Sequence, residues 1–190
     1  MKLVPCHCER SEAIFNLKLS IILVGFLFWA IPSACAETAV EYLVDGNDSY
    51  ARGDLKQAIY DYTKALDINP NLAKAYDNRG VAYAKQGFLD PAIADFTMAI
   101  ANKPKDAEAY NNRGHAYAAQ GNLTQALADY SKAIRYNAIY VKAYNNRALV
   151  YDELKEYDKA WADVNKIKQI GGTIDPDFIV ELKKESGKGN

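Results

Sequence analysis

From residue 39 onward, large apolar and aromatic side chains return at intervals of three and four, with polar residues between them. Residues 107–140 show the pattern in Tyr110, Tyr117, Leu123, Leu127, Tyr130 and Ile134. That period places one apolar stripe along a helix. The stripe is broken at regular points, so the pattern predicts pairs of amphipathic helices. Gly53, Gly87 and Gly121 end the first helix of a pair, since glycine accepts the left-handed conformation of a helix C-terminus. Asp54, Asp90 and Asn122 follow as candidate N-caps of the second helix, able to accept from its unpaired backbone N–H groups. Pro70 and Pro104 close the second helices of the first two pairs, because proline cannot continue the ladder.

The pairs are copies of one unit. Tyr42, Tyr76, Tyr110 and Tyr144 recur at one constant interval, which divides the chain without insertion into 39–72, 73–106, 107–140 and 141–174. At position 8 stand Gly46, Gly80, Gly114 and Ala148; at position 20 stand Ala58, Ala92, Ala126 and Ala160. Ala65, Ala99 and Ala133 recur at position 27, where the last unit has Ile167. Small side chains at fixed points of both helices are what a close helix crossing requires. Residues 175–186 open on Asp-Pro and set Phe178, Ile179 and Leu182 on one side, as expected of a C-terminal capping helix. Residues 187–190 read as a frayed tail.

These residues resemble the tetratricopeptide repeat family over 39–172, the greater part of the chain. The resemblance implies an all-α fold, a right-handed α-solenoid of four helix pairs with a concave groove lined by the first helices. One pair cannot bury its apolar face alone, whereas stacked neighbours can. Family geometry turns positions 2, 5, 6, 9, 12 and 13 toward the groove. Position 6 carries Asn78, Asn112 and Asn146; position 5 carries Asp77, Asn111 and Asn145; His115 stands at position 9. The position-6 residues resemble the asparagine ladder with which some family members grip an extended peptide, one amide offering donor and acceptor together. The alternative is that these amides bond a neighbouring turn or water. The family's dicarboxylate clamp needs a cationic pair that Leu43, Asn47, Asn78, Glu108 and Asn112 do not supply, nor do Asp77, Val81, Asn112, Lys142 and Asn146.

Charge adds a second regularity. Arg79, Arg113 and Arg147 occupy position 7, and Asp61, Asp95, Asp129 and Asp163 occupy position 23. Pairing within a unit would join Arg79 to Asp95 and leave Asp45 facing Asp61. Pairing between units joins Asp61 to Arg79, Asp95 to Arg113 and Asp129 to Arg147, sets no acid against an acid, and is the expected scheme.

The first 36 residues differ in kind. Charge ends at Lys18, Leu19–Ile31 is apolar, Pro32 breaks the run, and Ala34-Cys35-Ala36 fits a small-x-small cleavage site before Glu37. This predicts an export signal over 1–36. Two rivals are a lipid on Cys35, with Pro32 in an unfavourable place for it, and an uncleaved anchor, residues 19–36 being barely long enough to span a membrane. Residues 6–13, CHCERSEA, resemble translated repeat DNA, which points to a start codon further downstream. Three adjacent ligands at Cys6, His7 and Cys8 are poor zinc spacing. All three cysteines, Cys6, Cys8 and Cys35, precede the repeats, so the repeats suit an oxidising compartment.

A hydrophobic fraction of 49 % beside 25 % charged residues fits a packed domain. A net charge of −1 gives no basic face for nucleic acid. Past residue 36 one histidine and no cysteine remain, with no phosphate loop, metalloprotease helix or nucleophile elbow. The expectation is a non-catalytic scaffold without cofactor, metal or small-molecule substrate. It holds another protein or peptide segment and is exported to the periplasm or bacterial cell envelope. The alternatives are a membrane-anchored assembly factor that uses its convex face, or a repeat lipoprotein.

Overall fold

The structure, a computed structural model, describes residues 38–187. The signal, lipid and anchor readings of residues 1–36 and the Cys6–His7–Cys8 reading lie outside the described residues, as does the tail beyond Gly187. Nine helices and no strand are present among the described residues. They are α1 (Ala39–Ala51), α2 (Leu55–Ile68), α3 (Ala73–Lys85), α4 (Leu89–Asn102), α5 (Ala107–Ala119), α6 (Leu123–Tyr136), α7 (Val141–Glu153), α8 (Tyr157–Gln169) and α9 (Pro176–Ser186). None of them is long and apolar enough to cross a membrane.

Helices α1–α8 pack as consecutive pairs, each second helix also touching the first helix of the next pair, which is the stacking of an α-solenoid. First helices of successive units touch one another as well, and so form one continuous wall.

The glycines at the helix–helix turns take φ of 82° at Gly53, 84° at Gly87 and 78° at Gly121. Unit four places Lys155 at this turn, with φ 60°, the one positive-φ non-glycine residue among those described. Asp54 caps α2 by accepting from the Gln57 N–H at 3.1 Å. Asp90 does not cap α4: Phe88 holds the cap position, and Asp90 sits in the first turn, where it accepts from Gln120. Asn122 holds the cap position of α6, but its amide donates to Gln120 Oε1 at 3.1 Å instead.

Position 8 is small because of a ring. A Cβ on Gly46 would come within 2.5 Å of Tyr62, on Gly80 within 2.8 Å of Phe96, and on Gly114 within 2.8 Å of Tyr130. These aromatics are buried, and each stands at position 24, on the second helix of the same unit. In unit four both partners change: Ala148 faces a core containing the smaller Val164. The position-20 alanines are fully buried beneath them.

The ion pairs form within units, contrary to the expected scheme. Arg79 grips Asp95, Arg113 grips Asp129 and Arg147 grips Asp163, each through two parallel N–H···O bonds of 2.7–2.9 Å. The objection that Asp61 would face Asp45 fails because Asp61 is served otherwise: Ser49 donates to it at 3.1 Å and Gln57 at 2.7 Å. The link between units comes from the third guanidinium nitrogen. It donates to Thr63, Thr97 and Ser131 of the preceding unit at 2.9, 3.1 and 2.9 Å. Each hydroxyl in turn donates to a carbonyl one turn back on its own helix, at 2.7 Å, so it meets the arginine as an acceptor. Two tyrosines flank each guanidinium at 5.7–6.0 Å, such as Tyr110 and Tyr117 around Arg113.

After α8 the chain turns through Gly171, and Asp175 caps α9 with Pro176 at its first position. Phe178 and Leu182 bury themselves against Ala148, Ala160 and Val164, with Ile179, Tyr151 and Trp161 around them. Apolar surface of α7 and α8 that would otherwise face water is thereby covered.

Candidate functional site

The wall of first helices carries the sequence-predicted residues, at two depths. Asp77 and Asn111 are buried, Asn145 is half-buried, and so are Asn78, Asn112 and Asn146; His115 is exposed. Position 6 of each unit reaches back to the unit before it. Asn78 donates to Asn47 Oδ1 at 2.7 Å, Asn112 to Asp77 Oδ1 at 3.0 Å, and Asn146 to Asn111 Oδ1 at 3.0 Å. The position-5 residues Asp77 and Asn111 are therefore acceptors beneath the ladder. Asn145 is turned toward the unit's end, where its amide donates to the Thr173 carbonyl at 3.3 Å.

One amide N–H of each position-6 residue is thus committed. A second N–H and the oxygen remain on Asn112 and Asn146, whereas the Asn78 amide also bonds the Tyr62 phenol and keeps its oxygen. The committed bond also fixes the orientation of the amide, which lowers the rotamer entropy lost when a ligand arrives.

Two adjoining hollows open on this wall. One, of about 260 Å³, is lined by Asn47, Tyr50, Tyr62, Asp77, Asn78, Val81 and Glu108. Tyr62 donates to Asn47 at 3.0 Å, and burial pushes its phenol up to about 12. The other, of about 380 Å³, brings Asn111, Asn112 and His115 together with Tyr140 and Lys142 around an apolar floor that includes Val81, Ala84, Leu89 and Ala119. Neither hollow includes Asn145 or Asn146.

Charge on the wall centres on Lys74, which bonds Glu108 at 3.1 Å and Asp77 at 3.3 Å. Burial raises the Asp77 carboxyl above its ordinary range, against the opposing effects of Asn112 and Lys74. Burial draws the Lys74 ammonium down, but Glu108 and Asp77 outweigh it and leave the group raised. Among the described residues no group of His, Cys, Asp and Glu is placed to hold a metal ion.

Lys74, Glu108 and Lys142 are groove residues that sequence reasoning had not selected as a set. Their signal was present: they recur at position 2 with alternating sign. Asn47 was harder to find, because it is the acceptor for Asn78 from position 9 of a unit whose positions 5 and 6 are Leu43 and Val44.

Family models match in three stretches: a TPR repeat model over residues 46–87, and tetratricopeptide repeat models over 107–138 and 141–169. Among solved structures, the chain is similar to a crystal structure of MamA protein, with TM-score 0.68 and 30 % identity over 80 % of each chain. It is similar to a tetratricopeptide repeat protein from Parabacteroides merdae, with TM-score 0.69 and 26 % identity over 79 % of this chain and 60 % of that one. It is also similar to the first TPR of Spaghetti bound to an HSP90 peptide, SRMEEVD, with TM-score 0.61 and 27 % identity over 62 % of this chain and 94 % of that one.

Proposed function

The chain belongs to the tetratricopeptide repeat family, a fold of protein–protein interaction scaffolds, and from that premise we propose that it is a non-catalytic adaptor holding an extended partner segment against its first-helix wall. The observation that carries this reading is the ladder itself. Asn78, Asn112 and Asn146 are each oriented by a bond to the preceding unit; Asn112 and Asn146 keep a donor and an acceptor for a peptide backbone, and Asn78 keeps an acceptor. Support comes from the similar Spaghetti domain, which is bound to a peptide. The cationic pair of a dicarboxylate clamp is missing here, so that mode of grip is not part of the proposal.

The N-terminal pattern supports an adaptor exported to the cell envelope: an apolar run Leu19–Ile31 followed by Ala34-Cys35-Ala36. Sequencing the N-terminus of the mature protein tests this. A start at Glu37 supports export with cleavage; a lipidated Cys35 or a retained Leu19–Ala36 replaces it with an anchored form.

Partner binding is tested by placing a photo-crosslinking amino acid at His115, on the wall, or at Tyr60, exposed on α2. Adducts to a partner peptide from position 115 and none from position 60 are expected. The reverse pattern moves the binding surface to the second helices and supports the convex-face assembly factor.

A further inference from the structure

We propose that the segment held on the wall is acidic and is anchored by one large apolar side chain in the hollow between α3 and α5. This deepens the peptide-holding reading and rests on it.

The shape and lining of the hollow suit such an anchor. Its volume of about 380 Å³ lies at the low end of the range of ligand sites, so it takes a side chain with its flanking backbone rather than a folded surface. Val81, Ala84, Leu89 and Ala119 give it an apolar floor, and Asn112 stands among the lining residues to bond the backbone of the same segment. A short apolar side chain would leave that floor wet. A large one removes it from water, the dominant favourable term in such contacts.

Charge around the hollow favours an acidic segment. Lys85, Lys142 and Glu108 are the lining residues with full charge. Glu108 is already held by Lys74 at 3.1 Å. The Lys85 ammonium lies over the Tyr50 ring at 5.0 Å, a contact that leaves its positive charge in place. Lys142 is exposed, and no ion pair engages it among the described residues. The rim therefore offers two ammonium groups against one carboxylate, Glu108, which shares Lys74 with Asp77. Carboxylates of a bound segment complement that rim, whereas lysines or arginines would meet like charge at two points.

The test uses the full chain and three short synthetic peptides titrated by fluorescence anisotropy. One has a single phenylalanine among glutamates, one has the same phenylalanine among lysines, and one has alanine in place of phenylalanine among glutamates. The first should bind, and more weakly at about 0.5 M salt, where screening is strong. The other two should bind at least about tenfold more weakly. Converting both rim charges, with Lys85→Glu and Lys142→Glu together, should reverse the preference between the glutamate and lysine peptides. Filling the hollow with Ala119→Trp should weaken the first peptide by about tenfold or more. All three positions are exposed, so melting should match the parent in every variant. Salt dependence on the parent supplies the charge test even if a variant fails to fold. Equal affinity for the glutamate and lysine peptides overturns the charge inference and leaves groove binding standing. Equal affinity with and without phenylalanine overturns the anchor. Binding of none of the three overturns the whole inference, and groove binding itself fails with it only if peptides selected from a random library are also not held at position 115.

Discussion

Arg113 and Asp129 meet as a fork, Nε donating to Oδ2 at 2.7 Å and Nη2 to Oδ1 at 2.9 Å, while Nη1 of the same guanidinium reaches Thr97 one repeat earlier at 3.1 Å. The arginine is thus both the internal clasp of unit three and its bond to unit two. Burial makes the clasp sensitive to one-sided loss, since the side chains are 14 % and 4 % exposed. Asp129→Ala should destabilise by about 3–5 kcal/mol, because it strands a buried cation. Exchanging both partners for apolar residues, Arg113→Met with Asp129→Leu, should cost far less or stabilise. Thr97→Val, which removes the link between repeats, should cost about 0.5–1.5 kcal/mol. Denaturant unfolding of the three variants checks the order; equal losses for the single aspartate and the double exchange would contradict it.

Gly114 and Tyr130 make a second coupled pair. Alanine is the better helix former by about 1 kcal/mol, yet Gly114→Ala should destabilise by about 1–3 kcal/mol, because its Cβ would lie 2.8 Å from the tyrosine ring. Adding Tyr130→Val recreates the Ala148 and Val164 pairing of unit four and should recover part of that loss. Melting of the single and double variants decides it. An unperturbed Gly114→Ala would mean that the ring moves aside freely.

These two pairs show what was legible in the sequence. The recurrence of the unit located every helix pair because it superimposes independent signals: tyrosine at position 4, alanine at position 20, glycine at the turn. It marked Gly114 as small but not the reason, since the ring against it belongs to the other helix of the unit. Charge bookkeeping chose the wrong aspartate for Arg113 because it counted formal charges only. Neutral donors, Ser49 and Gln57, settle the odd aspartate of unit one. The hydroxyls Thr63, Thr97 and Ser131 recur at the same position of successive units, but a hydroxyl signals no partner until the neighbouring guanidinium is placed. The family pattern put Asn112 and His115 on the first-helix wall, where both stand, but it could not say that Asp77 would be a buried acceptor under Asn112.

Lys155 stands in for glycine at the turn of unit four, with φ 60° where the other units have glycine. A side chain in the left-handed region carries a strain of order 1–3 kcal/mol, partly offset by the freedom glycine has in the unfolded chain. Lys155→Gly should therefore stabilise by about 1 kcal/mol, read as a raised denaturation midpoint with an unchanged slope. A lowered midpoint would show that the lysine side chain contributes more than its backbone costs.

Asp77 makes stability depend on pH. Burial raises its folded-state pKa above the unfolded value, so the contribution of this group is fully present below the unfolded pKa and is lost as pH rises through the raised folded value. Asp77→Asn mimics Asn111 of the next unit, which accepts from Asn146 in the same way. The variant should gain stability relative to the parent as pH climbs through that window toward neutrality, and the difference should be smallest in acid. Denaturant midpoints across the pH range check this; a gap that widens toward low pH would contradict it.

Whether a partner segment lies along the first-helix wall is decided by titrating a peptide selected from a random displayed library against the parent, Ala119→Trp and Tyr60→Ala. Replacing Asn78, Asn112 and Asn146 with alanine is a less clean test, because it also removes three bonds between repeats, each contributing about 0.5–1.5 kcal/mol. Ala119 lines the hollow and is exposed, so filling the space leaves the stack intact. Affinity should fall by about tenfold or more in Ala119→Trp and stay unchanged in Tyr60→Ala, with both variants melting like the parent. Unchanged affinity in Ala119→Trp together with a loss in Tyr60→Ala would contradict binding on the wall and place the binding surface on the second helices.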